Sequence, residues 1–388
     1  MHVDDLLKLA VDQGASDLHL KVGTFPMMRV AGVLKPITED KKLDYEDVVA
    51  MSAAIMSKQQ LEKFKQVNEV DLAYSVAGLG RFRVNIFQQR GTVGLVLRVI
   101  PMQIRTIDEL DLPDVLKAIS QEERGLVLVT GTTGSGKSTT LAAMIDYINK
   151  TRSAHVMTVE DPIEFLHRDQ MSIVNQREVS VDTKSFAHAL RSALRQDPDV
   201  ILVGEMRDFE TIETGLLAAE TGHLVFSTLH TLDATETINR IIAVFPPHQQ
   251  KQIRVQLASV LKAVVSQRLM PRADGKGRAP AVEVLISTPF IRDCIVDKDK
   301  THLIAGAIAA GGSQYRMQTF DQSIFRLYER GIVSLEEALR WVSNVDEFKL
   351  KIAGIMTSSE IGRDGMSKKE AAAAKPPSGP PEISRFGR

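Results

Sequence analysis

With 388 residues, of which 44% are hydrophobic and 25% are charged, the chain is long enough to hold two or three domains with a large core. Its formal net charge of −1 disfavours a partner held by bulk charge, so no nucleic-acid partner is expected. The single cysteine, Cys294, excludes an internal disulfide framework and a four-cysteine zinc site.

The sequence also lacks the usual signals for membrane insertion and export. It has no run of about 18 apolar residues, and its acidic N-terminal segment does not follow the pattern of a signal peptide. We therefore expect a cytoplasmic protein that reaches a membrane only through a partner.

Residues 1–100 combine helical and strand patterns, which predicts a small α+β domain. Apolar residues recur at helical spacing over residues 3–13, and apolar and polar residues alternate over residues 16–22. The other predicted elements are a strand at residues 28–34, a helix at residues 45–65, and strands at residues 70–76, 81–88 and 92–99. Residues 101–113, which contain Pro101 and Pro113, are predicted to form a hinge.

A different pattern begins at residue 126, where uninterrupted apolar segments alternate with helical segments. The apolar segments are residues 126–130, 154–159, 200–203 and 224–227. Strands without polar alternation are buried on both faces, which predicts a parallel sheet covered by helices. The pattern predicts an α/β fold with a RecA-like ATPase core at residues 114–290. Because ligands of such sheets gather at the carboxyl ends of the strands, polar residues there are candidates for chemistry.

The remainder of the chain is predicted to be mainly helical from about residue 250 onward. A loop at residues 271–278 and a short strand at residues 281–287 interrupt it, and residues 291–361 form a predicted helical C-terminal region. Residues 362–388 are rich in alanine and proline and have no core-forming pattern, so they are predicted to be disordered.

Residues 131–139, Gly-Thr-Thr-Gly-Ser-Gly-Lys-Ser-Thr, join an apolar strand to a helix-forming segment. A glycine-rich turn that leads into a helix aims backbone N–H groups and the positive end of the helix dipole at one point, which suits a phosphate. The motif predicts an ATP site in which Lys137 reaches the β- and γ-phosphates and the Ser138 hydroxyl holds Mg²⁺. The predicted nucleotide-binding residues are Thr132, Thr133, Gly134, Ser135, Gly136, Lys137, Ser138 and Thr139. The alternative is a glycine-rich turn whose lysine is only a solvated surface charge, but this would not explain why the complete motif is present.

Glu205 follows the apolar segment at residues 200–203 after one glycine. It is the predicted catalytic carboxylate that orients the attacking water, although a carboxylate at a strand end is often only a helix cap. Gly204 stands where an aspartate usually supports the metal, so Mg²⁺ is expected to depend on Ser138 and the phosphates.

A second acidic cluster follows the segment at residues 154–159. Glu160 and Glu164 are predicted to act on the metal or on the attacking water, also as catalytic residues. Asp161, directly before Pro162, fits a helix N-cap as well, and the two interpretations are compatible.

Histidine and arginine residues supply the remaining candidates. His223 and His230 flank the segment at residues 224–227, and either a γ-phosphate-sensing role or an ordinary structural role fits them. No arginine of the core lies next to the phosphate loop in the sequence. Arg81 and Arg83, on one face of a predicted N-terminal strand, are predicted to reach a nucleotide across a domain or subunit boundary. A solvated strand face is the alternative.

Together these motifs resemble the secretion-type hexameric ATPases over residues 3–350, and most closely the branch that retracts type IV pili. The matching segments are residues 16–20 (start of a PAS-like N-terminal domain), 131–139 (Walker A), 160–164 (Asp box), 201–208 (atypical Walker B) and 223–230 (His box). Arg81 and Arg83 correspond to arginines that contact nucleotide at the neighbouring subunit in that family. Residues 290–297 resemble the C-terminal box of the retraction branch, with Val296 where an arginine usually stands.

The resemblance implies a homo-hexamer that hydrolyses ATP with Mg²⁺ to power pilus retraction by pilin depolymerisation, and hence twitching motility. It implies an inner-membrane pilus platform protein and, indirectly, the pilin fibre as partners, and a cytoplasmic location peripheral to the inner membrane. A start at the PAS-like domain and a single cysteine favour retraction over pilus extension or type II secretion. An accessory retraction paralogue is the close alternative. Two further hypotheses are a nucleic-acid translocase with a RecA-like core and a nucleotide-gated scaffold without enzyme activity.

Overall fold

The structure is a computed structural model that describes residues 2–30, 32–101 and 103–354. The predicted disordered tail at residues 362–388 lies outside the described residues. The described chain divides into two compact units. The first comprises the described residues up to Leu269 together with Pro280–Thr319, and the second comprises Met270–Ala279 and the described residues from 320 to 354.

Within the described residues, the N-terminal sheet has six antiparallel strands in the order β3-β2-β1-β6-β5-β4. Its strands are β1 (Asp17–Lys21), β2 (Met27–Val30), β3 (Val33–Pro36), β4 (Glu69–Val76), β5 (Gly80–Gln89) and β6 (Thr92–Val99). The accompanying helices are α1 (Val3–Asp12), α2 (Tyr45–Ile55) and α3 (Lys58–Val67). Leu18, Phe82 and Leu97 pack against Leu6 and Val48 in one buried core, which is the predicted α+β arrangement.

Two predicted elements of this region are each two elements in the structure. The strand predicted at residues 28–34 is the hairpin β2–β3, in which Gly32 has a φ of 84°. The helix predicted at residues 45–65 ends after Ile55, and a capping box between Ser57 and Gln60 starts α3. The helical periodicity continues across that break, which is why periodicity alone did not reveal it.

The second sheet of the described chain has seven strands in the order β13-β12-β7-β11-β10-β8-β9. Its strands are β7 (Gly125–Thr130), β8 (His155–Glu160), β9 (Ile173–Glu178), β10 (Val200–Val203), β11 (Leu224–Leu229), β12 (Leu261–Pro271) and β13 (Arg278–Ile286). All pairings from β12 through β9 are parallel. The central strands β7, β10 and β11 are buried at every position, because helices cover both faces. This confirms the predicted RecA-like core.

Helices of the first unit surround this sheet. They are α4 (Val115–Ser120), α5 (Lys137–Thr151), α6 (Phe186–Ala193), α7 (Phe209–Glu220), α8 (Ala234–Ala243), α9 (Gln250–Val260), α10 (Pro289–Val296), the 3₁₀ helix Lys298–Leu303, α11 (Ile304–Ala310) and α12 (Gly312–Tyr315). Successive residues of β7 point into opposite cores: Leu126 and Leu128 into one, Val127 and Val129 into the other.

Two strands of the core were not predicted. β12 was expected to be helical, but it follows α9 without an intervening turn residue, and its apolar pattern does not distinguish a buried strand from a buried helix. β9 is an edge strand with polar residues in its second half, so it presents no apolar run.

The second unit contains α13 (Phe320–Glu329), α14 (Leu335–Trp341), α15 (Val345–Ile352) and the tip of the β12–β13 hairpin. The rings of Phe325 and Phe348 meet edge to face with centroids 5.8 Å apart, and the Ala273 N–H donates to the Ile332 carbonyl. This confirms a helical C-terminal region. In the part of the chain that the structure describes, no helix has the length and apolarity needed to cross a bilayer.

Candidate active site

The phosphate loop connects the carboxyl end of β7 to the first turn of α5. Gly131 has a φ of 141°, and a Cβ there would lie 2.4 Å from the Gln267 carbonyl oxygen and 2.5 Å from Ser135 Oγ. Gly136, which precedes α5, has a φ of 95°. Both positions therefore require glycine, Gly131 by close approach as well as by backbone conformation.

The loop suits an anionic phosphate chain. No side chain of the residues that the structure describes caps the N-terminus of α5, so its first N–H groups and the helix dipole face the loop. The buried Lys137 donates from Nζ to the carbonyl oxygens of Gly131, at 2.8 Å, and Thr132, at 3.0 Å. The Ser135 hydroxyl is buried and has no hydrogen-bond partner within the described chain. An uncapped helix end, a buried ammonium and an unpaired buried hydroxyl fit a bound phosphate.

The other predicted loop residues lie toward solvent. Thr132, Thr133, Gly134 and Ser138 are exposed, and Thr139 is half-buried. Ser138 is the second residue of α5, so its exposed hydroxyl lies beside the phosphate loop. Among the residues that the structure describes, no group of three or more histidine, cysteine or acidic residues could hold a metal ion.

Glu205, Arg207 and His230 lie together at the carboxyl ends of β10 and β11. Arg207 contacts Glu205 Oε2 at 2.8 Å, and His230 Nε2 is 3.9 Å from the same oxygen. Burial lowers the pKa of Lys137, Glu205 opposes that change, and Arg207 adds to it. Burial also lowers the pKa of His230, and the charges of Lys137 and Arg207 act in the same direction. These four side chains therefore form one electrostatically coupled cluster.

His223 lies elsewhere. It is next to the amino end of β11, where its Nδ1 is 2.9 Å from the Ala218 carbonyl oxygen. His223 and His230 flank β11 as the sequence indicates, so they lie at opposite ends of one strand and His223 is away from the cluster around Glu205. This position favours the structural interpretation of His223.

Glu160 ends β8, next to the end of β10. Its Oε1 accepts hydrogen bonds from the Thr158 hydroxyl at 2.7 Å and from Gln176 Nε2 at 3.2 Å. Burial raises the pKa of Glu160, while these hydrogen bonds oppose the change. Glu160 Oε2 accepts from the Glu164 N–H at 3.4 Å, and the Glu164 side chain is exposed.

The alternative interpretation of Asp161 as a helix N-cap is wrong. No helix follows Pro162 in the described residues 161–172. The N–H groups of Ile163 and Glu164 instead donate to the carboxylates of Glu178 and Glu160, so a different set of side chains satisfies this backbone.

Arg81 and Arg83 have different surroundings in this structure. Arg81 contacts Glu178 Oε2 at 2.9 Å, and the two side chains are 20% and 6% exposed. Glu178 ends β9, so this ion pair joins the N-terminal sheet to the edge of the core sheet. Arg83 is exposed and lies opposite Arg98 of β6. The contact of either arginine with a nucleotide at a subunit boundary stays a prediction.

A sequence model of the family described as "Type II/IV secretion system protein" matches residues 1–340. The chain belongs to this family. It is 48% identical over 338 residues to the type IV pilus retractation ATPase PilT of Pseudomonas aeruginosa, covering 87% of this chain and 97% of the relative. It is 43% identical over 352 residues to the type IV pilus ATPase PilU of the same organism, covering 91% of each.

A solved structure gives the same result. The crystal structure of the pilus retraction motor PilT with bound ADP superposes with a TM-score of 0.83 at 46% identity, covering 89% of this chain and 98% of that one. The predicted resemblance to the secretion ATPases is therefore confirmed for this member of the family.

Arg207 is one of the polar residues that follow the predicted strands and were candidates for chemistry, and it contacts Glu205 at the end of β10. Gln267, by contrast, escaped prediction from the sequence. Gln267 reaches the loop because β12 pairs with β7. The available signal was the polar pair Ser266-Gln267, which directly follows the apolar run at residues 263–265.

The Arg81–Glu178 pair leads to a stability prediction for this secretion-system protein. Arg81→Ala leaves the Glu178 carboxylate buried without its cation. Because the Arg81 side chain is 20% exposed, we expect the free energy of unfolding to fall by about 3 kcal/mol, the lower end of the range for breaking a buried ion pair. Arg83→Ala, two residues along the same strand face, removes an exposed side chain and is expected to change it by less than ~0.5 kcal/mol. Urea unfolding followed by circular dichroism measures both variants. Equal shifts in the two would show that the ion pair does not stabilise the fold.

Proposed function

We propose that this chain is a motor ATPase that hydrolyses ATP to power the retraction of type IV pili, and thereby twitching motility. The observation that carries the proposal is the meeting of Lys137, Glu205, Arg207 and His230 at the carboxyl edge of a parallel sheet, beside a complete phosphate loop. The identity to PilT over nearly its whole length supports retraction as the work to which hydrolysis is coupled.

Each residue of the cluster has a distinct part in phosphoryl transfer. The backbone of the loop and Lys137 bind the phosphates and offset the charge that develops on them. Ser138 would hold Mg²⁺, which supplies further neutralisation of the phosphate oxygens. Glu205 orients the attacking water and takes up its proton. Glu160 and Glu164 lie at the end of β8, beside β10, and would act on the metal or on the attacking water through a bridging water molecule. His230, kept neutral by its surroundings, can report on the γ-phosphate by hydrogen bonding.

We further propose a homo-hexamer in which Arg83, and Arg81 once it leaves Glu178, act on the nucleotide of a neighbouring subunit. Closing and opening of the core about residues 101–113 would then pass around the ring and act on an inner-membrane platform protein. The exposure of Arg83 and the position of Arg81 at the edge of the core support this arrangement.

One assay tests the proposed ATPase function and the two alternative functions. It measures the rate of ATP hydrolysis as a function of protein concentration, with and without single-stranded DNA. We expect the rate per chain to rise with protein concentration, because a ring completes each site, and to be indifferent to DNA. Hydrolysis stimulated by DNA, with steep salt dependence, would instead indicate a nucleic-acid translocase. Tight ATP binding without phosphate release would indicate a nucleotide-gated scaffold.

An accessory retraction ATPase is the second candidate. Val296, which stands at the end of α10 where the retraction branch usually has an arginine, is 43% exposed, so the side chain at this position carries no positive charge to the surface. The identity to PilU supports the same interpretation. The two candidates share the ATPase activity and differ in whether the chain alone sustains retraction.

A further inference from the structure

A buried polar pair behind the phosphate loop takes no part in the chemistry above. β12 runs parallel to β7 with Ser266 opposite Thr130, so Gln267 comes level with the start of the loop. The Gln267 side chain is 3% exposed, and its Oε1 accepts a 2.8 Å hydrogen bond from the Thr140 hydroxyl. Thr140 is itself buried in the first turns of α5. One buried hydrogen bond therefore ties the strand to the helix that follows the loop.

Gln267 also contacts both ends of the loop. Its backbone carbonyl oxygen lies 2.4 Å from the position that a Cβ would take at Gly131, where the loop begins. Its Nε2 lies 3.1 Å from the position of a Cβ at Gly136, directly before Lys137. The strand itself is fixed to β7 by a 3.0 Å hydrogen bond from the Thr130 hydroxyl to Ser266 Oγ. Gln267 thus lies against both the first and the last glycine of the loop.

This placement matters because of how such a loop binds phosphate. Its N–H groups converge on an anion only at particular backbone angles, and glycines at residues 131, 134 and 136 allow many others. A loop that is ordered before binding loses less conformational freedom when the nucleotide arrives, and its affinity is higher. A rigid neighbour that contacts both ends restricts the loop in this way.

We propose that Gln267 is a positioning residue for nucleotide binding, which holds the phosphate loop in its binding conformation through Thr140 and through contact with Gly131 and Gly136. The inference rests on the proposed ATPase function and assigns a role to β12. Because Gln267 acts through the loop, its loss weakens nucleotide affinity and leaves the groups that carry out hydrolysis in place.

The test measures binding of a fluorescent ADP analogue to the full chain, with Gln267→Met, Thr140→Val and the double variant. We expect each single change to weaken binding about tenfold, the factor that ~1.4 kcal/mol gives. The double variant is also expected to bind about tenfold more weakly, because both changes remove the same hydrogen bond. The KM for ATP should rise by a similar factor to the loss of ADP affinity, while kcat stays within about twofold of the wild-type value.

Thr140→Val keeps the test valid if Gln267→Met folds poorly, because it removes the same hydrogen bond at the other partner. Gln267→Glu retains an acceptor for the Thr140 hydroxyl but places a negative charge beside Gly136, so it is expected to bind ADP more weakly than Gln267→Met. Because a buried carboxylate is destabilising, the melting temperature of this variant is measured in parallel to verify that it is folded. Gln252→Glu makes the same charge change at an exposed position of α9 and is the matched control, with unchanged binding.

Three outcomes overturn the proposal. The first is a lowered melting temperature of the single variants with unchanged ADP affinity. The second is an affinity loss of about a hundredfold in the double variant, which would show that the two changes act independently. The third is ADP binding by Gln267→Glu with wild-type affinity. Absence of ADP binding by the wild-type chain would instead refute the proposed function, so the two failures are distinguishable.

Discussion

Lys137→Ala is expected to weaken ATP binding by about a hundredfold or more and to abolish hydrolysis. The variant removes a buried ammonium that lies among the loop carbonyl groups and within the field of Glu205 and Arg207. Hydrogen bonds from a charged donor to phosphate oxygens contribute ~1.5–3 kcal/mol each, and Lys137 can make more than one. Burial lowers the pKa of Lys137, and the negative charge of a bound phosphate chain would act in the opposite direction by favouring the ammonium form.

Thermal unfolding with and without ADP measures this loss. A ligand that binds only the folded chain raises its melting temperature, so ADP should stabilise the wild-type protein and leave Lys137→Ala unchanged. Lys251→Ala, which removes an exposed lysine of α9, is the control and should respond as the wild type does. Equal stabilisation of both variants by ADP would show that the nucleotide binds elsewhere.

The sequence predicted the central part of this site, and the reason is physical. β7, β10 and β11 are buried at every position, so each requires an uninterrupted run of residues that tolerate burial, and such a run is visible in a sequence. Since parallel strands place their carboxyl ends at one edge, the residues that follow them had to meet there. Lys137, Glu205 and His230 do so.

Contacts between distant segments could not be predicted in the same way. Arg81 and Glu178 are 97 residues apart, and Gln267 and Thr140 are 127 residues apart. In both pairs one partner lies on a strand that the patterns missed, β9 in the first and β12 in the second. β9 is an edge strand with polar residues, so it shows no apolar run, and the location of Glu178 could not be predicted. β12 follows a helix without a turn signal, so the location of Gln267 could not be predicted either.

The position of Arg207 complicates the role of Glu205. In this structure Arg207 contacts the same oxygen that faces His230, so part of the Glu205 carboxylate is engaged. A carboxylate that orients water needs an oxygen available for it, and Glu205 has a second one in Oε1. The contact with Arg207 therefore leaves one oxygen of Glu205 available for the proposed action on water.

Glu205→Gln is accordingly expected to retain ATP binding and to lower kcat by about 10²- to 10⁴-fold, the usual loss when a general base is removed. The amide has the shape of the carboxylate and still accepts from Arg207, but it can neither take a proton nor bear the charge that polarises water. Phosphate release measured at saturating ATP gives kcat, and the fluorescent ADP analogue gives the affinity.

The control for this result is Glu213→Gln, which makes the same change at an exposed position of α7 and should turn over ATP like the wild type. Binding that persists without turnover separates Glu205 from Lys137, whose loss removes both. Wild-type turnover by Glu205→Gln would move the catalytic role to another carboxylate at the strand ends. Glu160 would be the first to test, because its raised pKa and its position beside β10 already suit a proton acceptor.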